Sequence, residues 1–371
     1  MNGPRPLHVA LMGSRGIPAR YGGYETLIEE LGRRLVRAGL RVTVYCRSHY
    51  TPRVLRRQAG ADLVVLPSVR AKYLDTPVHT LLSCLHARDR PYDAALLVNS
   101  ANALFTPLLR LAGIPVALHV DGIERRRAKW GPAGRGVYSL SERLASALPD
   151  ALVTDAEVIR RHYLERYRAD STVIAYGVEP RPAPPGEVMR RLGLDSRRYF
   201  LYVSRFEPEN NPHRVAAAFR RVHGDLPLVM VGGAPYAGRF IASFTAGADP
   251  RILFPGAIYG AGYRELLSHA LAYVHATEVG GTHPALVEAM GYGNCVVVND
   301  TPENREVAGP VGRYFRAARP ATLARILDEV QARPEEARAA GAAAAARAAA
   351  LYSWDSVVDG YLRLFRQLAG S

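Results

Sequence analysis

A glycine-rich stretch, EVGGTHPALVEAMGYGNCVV (278–297), has the residue types of a phosphate- and sugar-binding loop. Gly280 and Gly281 lead through Thr282 into an apolar helical segment that carries Glu288. Backbone N–H groups and the dipole at a helix N-terminus attract anions, so this loop is predicted to bind phosphates and sugar hydroxyls. Glu288 lies about two turns beyond Gly281, where its position also fits an ordinary surface charge.

A second candidate is Arg205 in the stretch SRFEPENN (204–211), which follows an apolar run. A guanidinium in this position can hold a diphosphate by bidentate, charge-assisted hydrogen bonds. The alternative is a surface arginine in an arginine-rich chain. No DxD-type motif follows a predicted strand, so a metal ion is not expected.

The first predicted strand is followed by the glycine-rich turn GSRGIPARYGGYE (13–25). Such a turn lets backbone N–H groups approach a phosphate at the start of the next helix. The spacing is neither the dinucleotide pattern GxGxxG nor a Walker A motif. The glycines therefore indicate either a phosphate-binding loop or a simple turn.

The stretch HVDG (119–122) ends the fifth predicted strand and places His119 and Asp121 at its carboxyl end, where ligands bind in open α/β sheets. His119 is thus either a cleft residue or a hydrogen-bonded core residue. The basic stretch ERRRAKW (124–130) follows. It predicts either a solvated loop or a patch for an anionic, lipid-linked acceptor at a membrane surface.

These motifs lie on a repeating pattern of apolar runs and helical segments, which predicts parallel, doubly wound sheets. Predicted strands of the first series are 7–12, 41–46, 62–67, 93–99, 114–122 and 151–155. Those of the second series are 199–206, 226–233, 251–256, 272–276 and 295–300. Helices are predicted over 25–38, 139–147, 335–351 and 354–368, and the proline-rich stretch 180–185 is the expected linker. We therefore expect two α/β domains, 1–178 and 179–353, with the C-terminal helix 354–371 returning to the first.

The amino-acid composition limits the binding partners and the cellular compartment that we expect for this protein. A net charge of +14 favours anionic partners, but the basic residues are scattered and no nucleic-acid recognition motif is present. The three cysteines are far apart, which fits a reducing cytoplasm rather than a disulfide framework or zinc site. Neither a secretory signal nor a membrane-spanning run is visible, so any membrane contact is expected to be peripheral, at the inner face.

In their order along the chain, five stretches resemble the retaining GT-B glycosyltransferases of family 4, and more closely their rhamnosyltransferase-like subgroup. They are MGSRGIPARYGGYETLIEEL, HVDGIERRRAKW, SRFEPENN, VGGTHPALVEAMGYGN and PENREV, which together run from residue 12 to 307. The resemblance implies two Rossmann-like domains facing across a cleft. The N-terminal domain would bind the acceptor and the C-terminal domain a nucleoside-diphosphate sugar, with no further cofactor.

The resemblance also implies roles for single residues. Arg205 would hold the donor diphosphate, Glu288 would lie by the ribose and His119 by the transferred sugar; these three form the expected catalytic set. The other donor contacts would be Gly22, Gly23, Asn210, Gly280, Gly281, Thr282 and His283. Acceptor contacts are expected from Arg15, Tyr21, Asp121, Arg125, Arg126 and Lys129.

The sequence departs from the family pattern at two places. The family has a lysine about five residues after the arginine, where this chain has Asn210 and Asn211. The usual first glutamate of the glutamate pair falls on Gly280, and the nearest carboxylate is that of Glu278. Either Glu278 serves through a longer loop, or the chain has no first glutamate.

The expected activity is hexosyl transfer from a nucleoside-diphosphate donor to a glycan or lipid-linked acceptor in bacterial surface-polysaccharide synthesis. Rhamnose, a 6-deoxy sugar, would suit the altered loop. Two alternatives stay open on the same fold. One is an inactive nucleotide-sugar-binding protein, and the other is a sugar-nucleotide epimerase.

Overall fold

The computed structural model describes residues 5–19, 22–71, 74–127, 130–234 and 237–370. The chain divides into two compact units. The first comprises Met1–Arg125, Pro132–Tyr176 and Trp354–Ser371, and the second comprises Arg126–Gly131 and Gly177–Ser353. The short segment Arg126–Gly131 therefore belongs to the second unit, although the sequence pattern placed it in the N-terminal domain.

The first unit is built on an eight-stranded sheet in the order β3-β4-β2-β1-β5-β6-β7-β8. Its strands are β1 His8–Met12, β2 Arg41–Arg47, β3 Arg57–Gln58, β4 Ala61–Leu66, β5 Ala94–Val98, β6 Val116–Val120, β7 Ala151–Thr154 and β8 Thr172–Val173. The pairings are parallel apart from that of β3 with β4. The strand order reverses between β1 and β5, which is the ligand-binding position of an open parallel sheet.

Helices cover both faces of this sheet and bury its apolar strands. They are Gly23–Arg37, Asp75–Ala87, Thr106–Leu111, Pro132–Ala145, Glu157–Tyr167 and Trp354–Ala369. Tyr361 and Phe365 of the last helix are fully buried in the same cluster as Leu27 and Leu31 of the first helix. The C-terminal helix is thus part of the core of the first unit.

The second unit carries a six-stranded, parallel sheet in the order β11-β10-β9-β12-β13-β14. Its strands are β9 Phe200–Arg205, β10 Leu228–Gly233, β11 Ile252–Gly256, β12 Ala272–His275, β13 Cys295–Asn299 and β14 Arg313–Phe315. Its helices are Glu187–Leu192, Pro212–Phe219, Gly238–Thr245, Gly260–His269, Pro284–Gly291, Pro302–Ala308, Pro320–Ala332 and Pro334–Leu351. The order reverses between β9 and β12.

The structure confirms the predicted α/β class with two parallel sheets, and most strand bounds agree within two residues. Three elements differ. The short strand Thr172–Val173 was not predicted, and after it Val178 N–H bonds Tyr352 O instead of a sheet neighbour. The helix predicted over 139–147 already begins at Pro132, because proline at the first turn lacks an N–H that would be unpaired anyway. The three-residue β14 is too short for a period-2 pattern to predict.

Two helical glycines offer a matched test of the packing in this fold. A Cβ added at Gly341 would lie 2.1 Å from Gly293 O, whereas one at Gly136 meets no heavy atom of the described residues within 4 Å. Helix propensity favours alanine over glycine by about 1 kcal/mol, but overpacking costs about 1–3 kcal/mol. We expect Gly341→Ala to lower the free energy of unfolding and Gly136→Ala to raise it, as measured by urea denaturation followed by circular dichroism. Equal gains for both variants would contradict the close approach at Gly341.

Candidate functional site

In the second unit, two neighbouring parallel strands end at one edge of the sheet. Strand β9 ends at Arg205 and β12 ends at His275, with Phe200 paired to Ala272 and Tyr202 paired to Val274. Because the strand order reverses between β9 and β12, the loops that follow them open at the usual ligand position of such a sheet. Arg205 and the glycine-rich loop 277–283 therefore emerge side by side.

A turn over Pro208–Asn210 ties these two strand ends together. Asn210 Nδ2 donates to Arg205 O at 2.8 Å, and Asn211 Nδ2 donates to Ala276 O at 2.8 Å. Both asparagines are buried, so their amides fix the backbone of the turn. The side chain of Arg205 remains about one-third exposed and lies 3.7 Å from Glu207. The Asn210 amide thus already donates a hydrogen bond within the protein. Its predicted contact with the nucleotide sugar stays a prediction.

The glycine-rich loop is shaped around His283. A Cβ added to Gly280 would lie only 2.2 Å from His283 Cε1, so no side chain fits at position 280 with the ring in this place. The ring packs against His275 with a centroid separation of 4.7 Å. Burial, and the charges of Arg127 and Arg205, lower the pKa of His283 to about 3. The imidazole is therefore neutral at pH 7 and able both to donate and to accept a hydrogen bond.

The loop leads into helix Pro284–Gly291, with His283 at the N-cap and Pro284 in the first turn. The N-terminus of this helix carries a positive partial charge that attracts anions, although two of its first N–H groups already donate to His283 O. Glu288, further along this helix, accepts a hydrogen bond from Tyr263 Oη at 2.7 Å. Burial and the adjacent carboxylate raise the pKa of Tyr263 well above its usual value, so this phenol stays a donor. The carboxylate is held in position rather than left as a mobile surface charge.

The basic stretch after β6 is paired with acidic residues. Arg125 Nε lies 3.0 Å from the buried carboxylate of Glu142 in the first unit. In the second unit, Arg126 lies 3.9 Å from Glu303, and the buried Arg127 lies 3.7 Å from Glu209. Arg125 and Arg127 are therefore not part of a freely solvated loop. The predicted acceptor contacts of Arg125 and Arg126 stay predictions, and Lys129 lies outside the described residues.

In the first unit, the loop after β1 is fixed by the helix that it leads into. Gly13 has a φ of +92°, and a Cβ there would lie 2.6 Å from Val98 O of the neighbouring strand. Arg15 N–H donates to Glu25 Oε1 at 2.9 Å, and Ala19 N–H donates to Glu29 Oε2 at 2.8 Å. Two backbone N–H groups of the loop are therefore already hydrogen-bonded to carboxylates of the helix that follows it.

Two of the contact residues predicted in this loop lie at the start of a helix. Gly22 is the N-cap of helix Gly23–Arg37, so the N–H groups of Gly22 and Gly23 lie at a helix start. Tyr21, a predicted acceptor contact, lies outside the described residues. The roles of Gly22, Gly23 and Arg15 stay predictions.

His119 is fully buried at the end of β6. Its Nδ1 lies 2.6 Å from Tyr361 Oη of the C-terminal helix, and the rings of Tyr24 and Tyr176 approach it edge-on. Its Nε2 has no hydrogen-bond partner among the described residues. Burial lowers the pKa of His119 to about 3. His119 therefore has the surroundings of a neutral core histidine, and its role near a transferred sugar stays a prediction.

Asp121 follows His119 and accepts hydrogen bonds from two tyrosines. Tyr24 Oη lies 2.7 Å from Oδ1, and Tyr176 Oη lies 3.3 Å from Oδ2. Burial and the Asp121 charge raise the pKa of both phenols well above the usual value. Sequence reasoning missed Tyr176 and Tyr361, since both are far from His119 in the chain and belong to no motif. Tyr24 stood within the quoted GGYE stretch but carried no separate signal.

Comparison with known families decides what these two sites belong to. Residues 22–177 match the family described as Glycosyl transferase 4-like domain, and residues 187–347 match Glycosyl transferases group 1. The two matches follow each other along the chain and together take in most of both units. The chain is a GT-B glycosyltransferase of the family 4 type.

Relatives of this glycosyltransferase span its full length. It is 25% identical over 397 aligned residues to alpha-maltose-1-phosphate synthase of Mycolicibacterium smegmatis, covering 98% of this chain and 100% of that protein. Sucrose-phosphate synthase from Thermosynechococcus elongatus superposes with a TM-score of 0.84 at 19% identity, covering 98% of this chain and 100% of that one. Anabaena HepE, solved in complex with UDP-glucose, superposes with a TM-score of 0.78 at 16% identity over 97% and 99%. At these identities the structural matches establish the shared GT-B fold.

Burial of His119 makes the stability of this glycosyltransferase sensitive to acid. His119 has a pKa of about 3 when folded and about 6.5 when unfolded, so below about pH 6.5 the unfolded chain binds a proton that the folded one does not. Stability should therefore fall with decreasing pH, and this group alone contributes about 1.4 kcal/mol per pH unit between its two pKa values. We expect His119→Gln to fall less steeply by about one proton in urea denaturation at stepped pH. Identical slopes for variant and wild type would contradict the buried, neutral ring.

Proposed function

We propose that this glycosyltransferase moves a hexose or a 6-deoxyhexose such as rhamnose from a nucleoside-diphosphate donor to a glycan or lipid-linked acceptor, with retention at the transferred carbon. The observation that carries the proposal is the convergence of Arg205, loop 277–283 and the start of helix Pro284–Gly291 at one sheet edge. A guanidinium beside the positive end of a helix suits a diphosphate. The setting we propose is bacterial surface-polysaccharide synthesis on the cytoplasmic side.

In the proposed reaction, the bond between the sugar and the diphosphate breaks as negative charge grows on the leaving group. Arg205 and the positive end of helix Pro284–Gly291, rather than a metal ion, would neutralise that charge. The neutral ring of His283 would lie beside the sugar and offer a hydrogen bond without adding charge. Glu288, held by Tyr263, would contact the ribose hydroxyls.

The relatives support a nucleotide sugar as donor. HepE was solved with UDP and with UDP-glucose, and an alpha,alpha-trehalose-phosphate synthase of Burkholderia vietnamiensis that shares the fold is described as UDP-forming. The departures at Asn210 and Gly280 argue that the sugar contacts of this chain differ from those of its relatives.

For the acceptor we propose the edge of the first unit, with Arg15 and Asp121 among its contacts. Peripheral membrane contact would bring a lipid-linked acceptor to this edge. Leu81 and Leu85 support such contact, since they lie one turn apart on helix Asp75–Ala87 and are 39% and 42% exposed beside Arg88. Among the described residues, none of the helices is long and apolar enough to span a bilayer.

Two other functions on the same fold remain as rivals, an inactive nucleotide-sugar-binding protein and a sugar-nucleotide epimerase. A thermal-shift screen of nucleoside diphosphates followed by a transfer assay separates them. Stabilisation by one nucleoside diphosphate, with turnover only after an acceptor is added, is the result expected of a transferase. Binding without turnover favours the first rival, and donor isomerisation without an acceptor favours the second.

The variant Arg205→Ala tests the proposed site. Loss of a charge-assisted contact to the leaving group should lower kcat by about 100-fold or more, while the melting temperature of the unliganded protein stays unchanged. Arg198→Ala is the matched control, because Arg198 is exposed and pairs only loosely with the exposed Asp225 at 3.4 Å. Wild-type turnover by Arg205→Ala would contradict the assignment.

A further inference from the structure

A buried carboxylate close to the proposed donor site has unused hydrogen-bonding capacity. Glu209 is 2% exposed, and within the described ranges neither of its carboxylate oxygens accepts a hydrogen bond. Arg127 Nη1 lies 3.7 Å from Oε1, which is beyond hydrogen-bond distance. A buried carboxylate is costly unless its oxygens are hydrogen-bonded, so an arrangement of this kind suits a ligand that supplies the donors.

The backbone places Glu209 directly against the glycine-rich loop. Glu209 belongs to the turn Pro208–Asn210, and its carbonyl oxygen accepts from Glu278 N–H at 2.9 Å. Arg127, its charge partner, is also one of the two arginines that lower the pKa of His283. One cluster within the second unit therefore contains Glu209, Arg127, Arg205 and the neutral ring of His283.

The loop itself does not present a carboxylate from the two positions that the sequence pattern considered. Position 280 has no room for a side chain, because the His283 ring occupies the space of a Cβ. Glu278 is 42% exposed at its side chain and lies 3.4 Å from Arg214. Glu209, whose backbone carbonyl bonds this loop, by contrast has a buried carboxylate whose two oxygens accept no hydrogen bond from the described residues.

We propose that the Glu209 carboxylate, with its charge balanced by Arg127, accepts hydrogen bonds from hydroxyl groups of the transferred sugar. This inference rests on the proposed function, since it takes the sugar of a nucleotide sugar to lie by loop 280–283. Two carboxylate oxygens can accept from neighbouring hydroxyls at once, which gives geometric specificity. Glu209 then determines sugar specificity, and Arg127 positions its carboxylate.

The test compares binding of nucleotide sugars with binding of the matching nucleoside diphosphates. UDP, GDP and dTDP, and UDP-glucose, GDP-mannose and dTDP-rhamnose, are titrated by calorimetry into the full chain as wild type and as Glu209→Gln. Hydrogen bonds to a charged group make the expected loss of nucleotide-sugar affinity about ten- to hundredfold. Affinity for the nucleoside diphosphate should stay within about twofold, because the change leaves the phosphate contacts in place.

Two further variants separate the role of Glu209 from a structural one. Glu209→Asp keeps the carboxylate on a shorter side chain and should restore part of the sugar-dependent affinity. Glu278→Gln changes the other carboxylate close to the loop and should leave that affinity unchanged.

Equal losses for sugar and diphosphate in Glu209→Gln would overturn the inference, as would loss of sugar affinity in Glu278→Gln instead. A wild type that binds every nucleotide sugar no more tightly than its diphosphate would overturn it too. A wild type that binds neither class of ligand would instead refute the proposed function.

Discussion

The second unit depends on the parallel pairing of β9 with β12. This pairing brings the carboxyl ends of two strands that lie about seventy residues apart in the chain to one edge. Arg205 ends one strand, and the loop that begins helix Pro284–Gly291 follows the other. The turn at Pro208–Asn210 bonds both strand ends and holds them in register. A slip by one residue would turn every side chain on β9 to the opposite face and remove Arg205 from the site.

Charge around this edge is balanced inside the protein before any ligand binds. Arg205 lies near Glu207, Arg126 near Glu303 and Arg127 near Glu209, at distances of 3.7, 3.9 and 3.7 Å. None of these three separations is a hydrogen bond. Each guanidinium therefore has its charge balanced by a nearby carboxylate. The buried histidines add no charge, since burial keeps His275 and His283 neutral.

Much of this could be predicted from local patterns. Apolar runs of strand length indicated both parallel sheets. The alanine content of residues 335–351 alone predicted a helix, which the structure confirms at Pro334–Leu351. The glycine-rich stretch at 278–297 identified the loop and the helix of the candidate site. Arg205 could be singled out because an arginine directly after a buried strand stands at a known ligand position.

The remaining features depend on contacts that no local pattern encodes. Tyr361 reaches His119 from the C-terminal helix, and Arg127 reaches Glu209 from a segment that joins the second unit. Whether position 280 has room for a side chain depends on the ring of His283, three residues further along. Only coordinates show that this ring fills the space of a Cβ. Burial likewise decides that His119 is neutral, although its sequence position also suited a cleft.

A crystal structure of the full chain with its nucleotide sugar would test the proposed donor site. We expect the diphosphate at the start of helix Pro284–Gly291 within hydrogen-bond distance of Arg205, with the sugar beside His283 and Glu209. A nucleotide bound at any other edge of the second unit, with Arg205 still turned to Glu207, would contradict it.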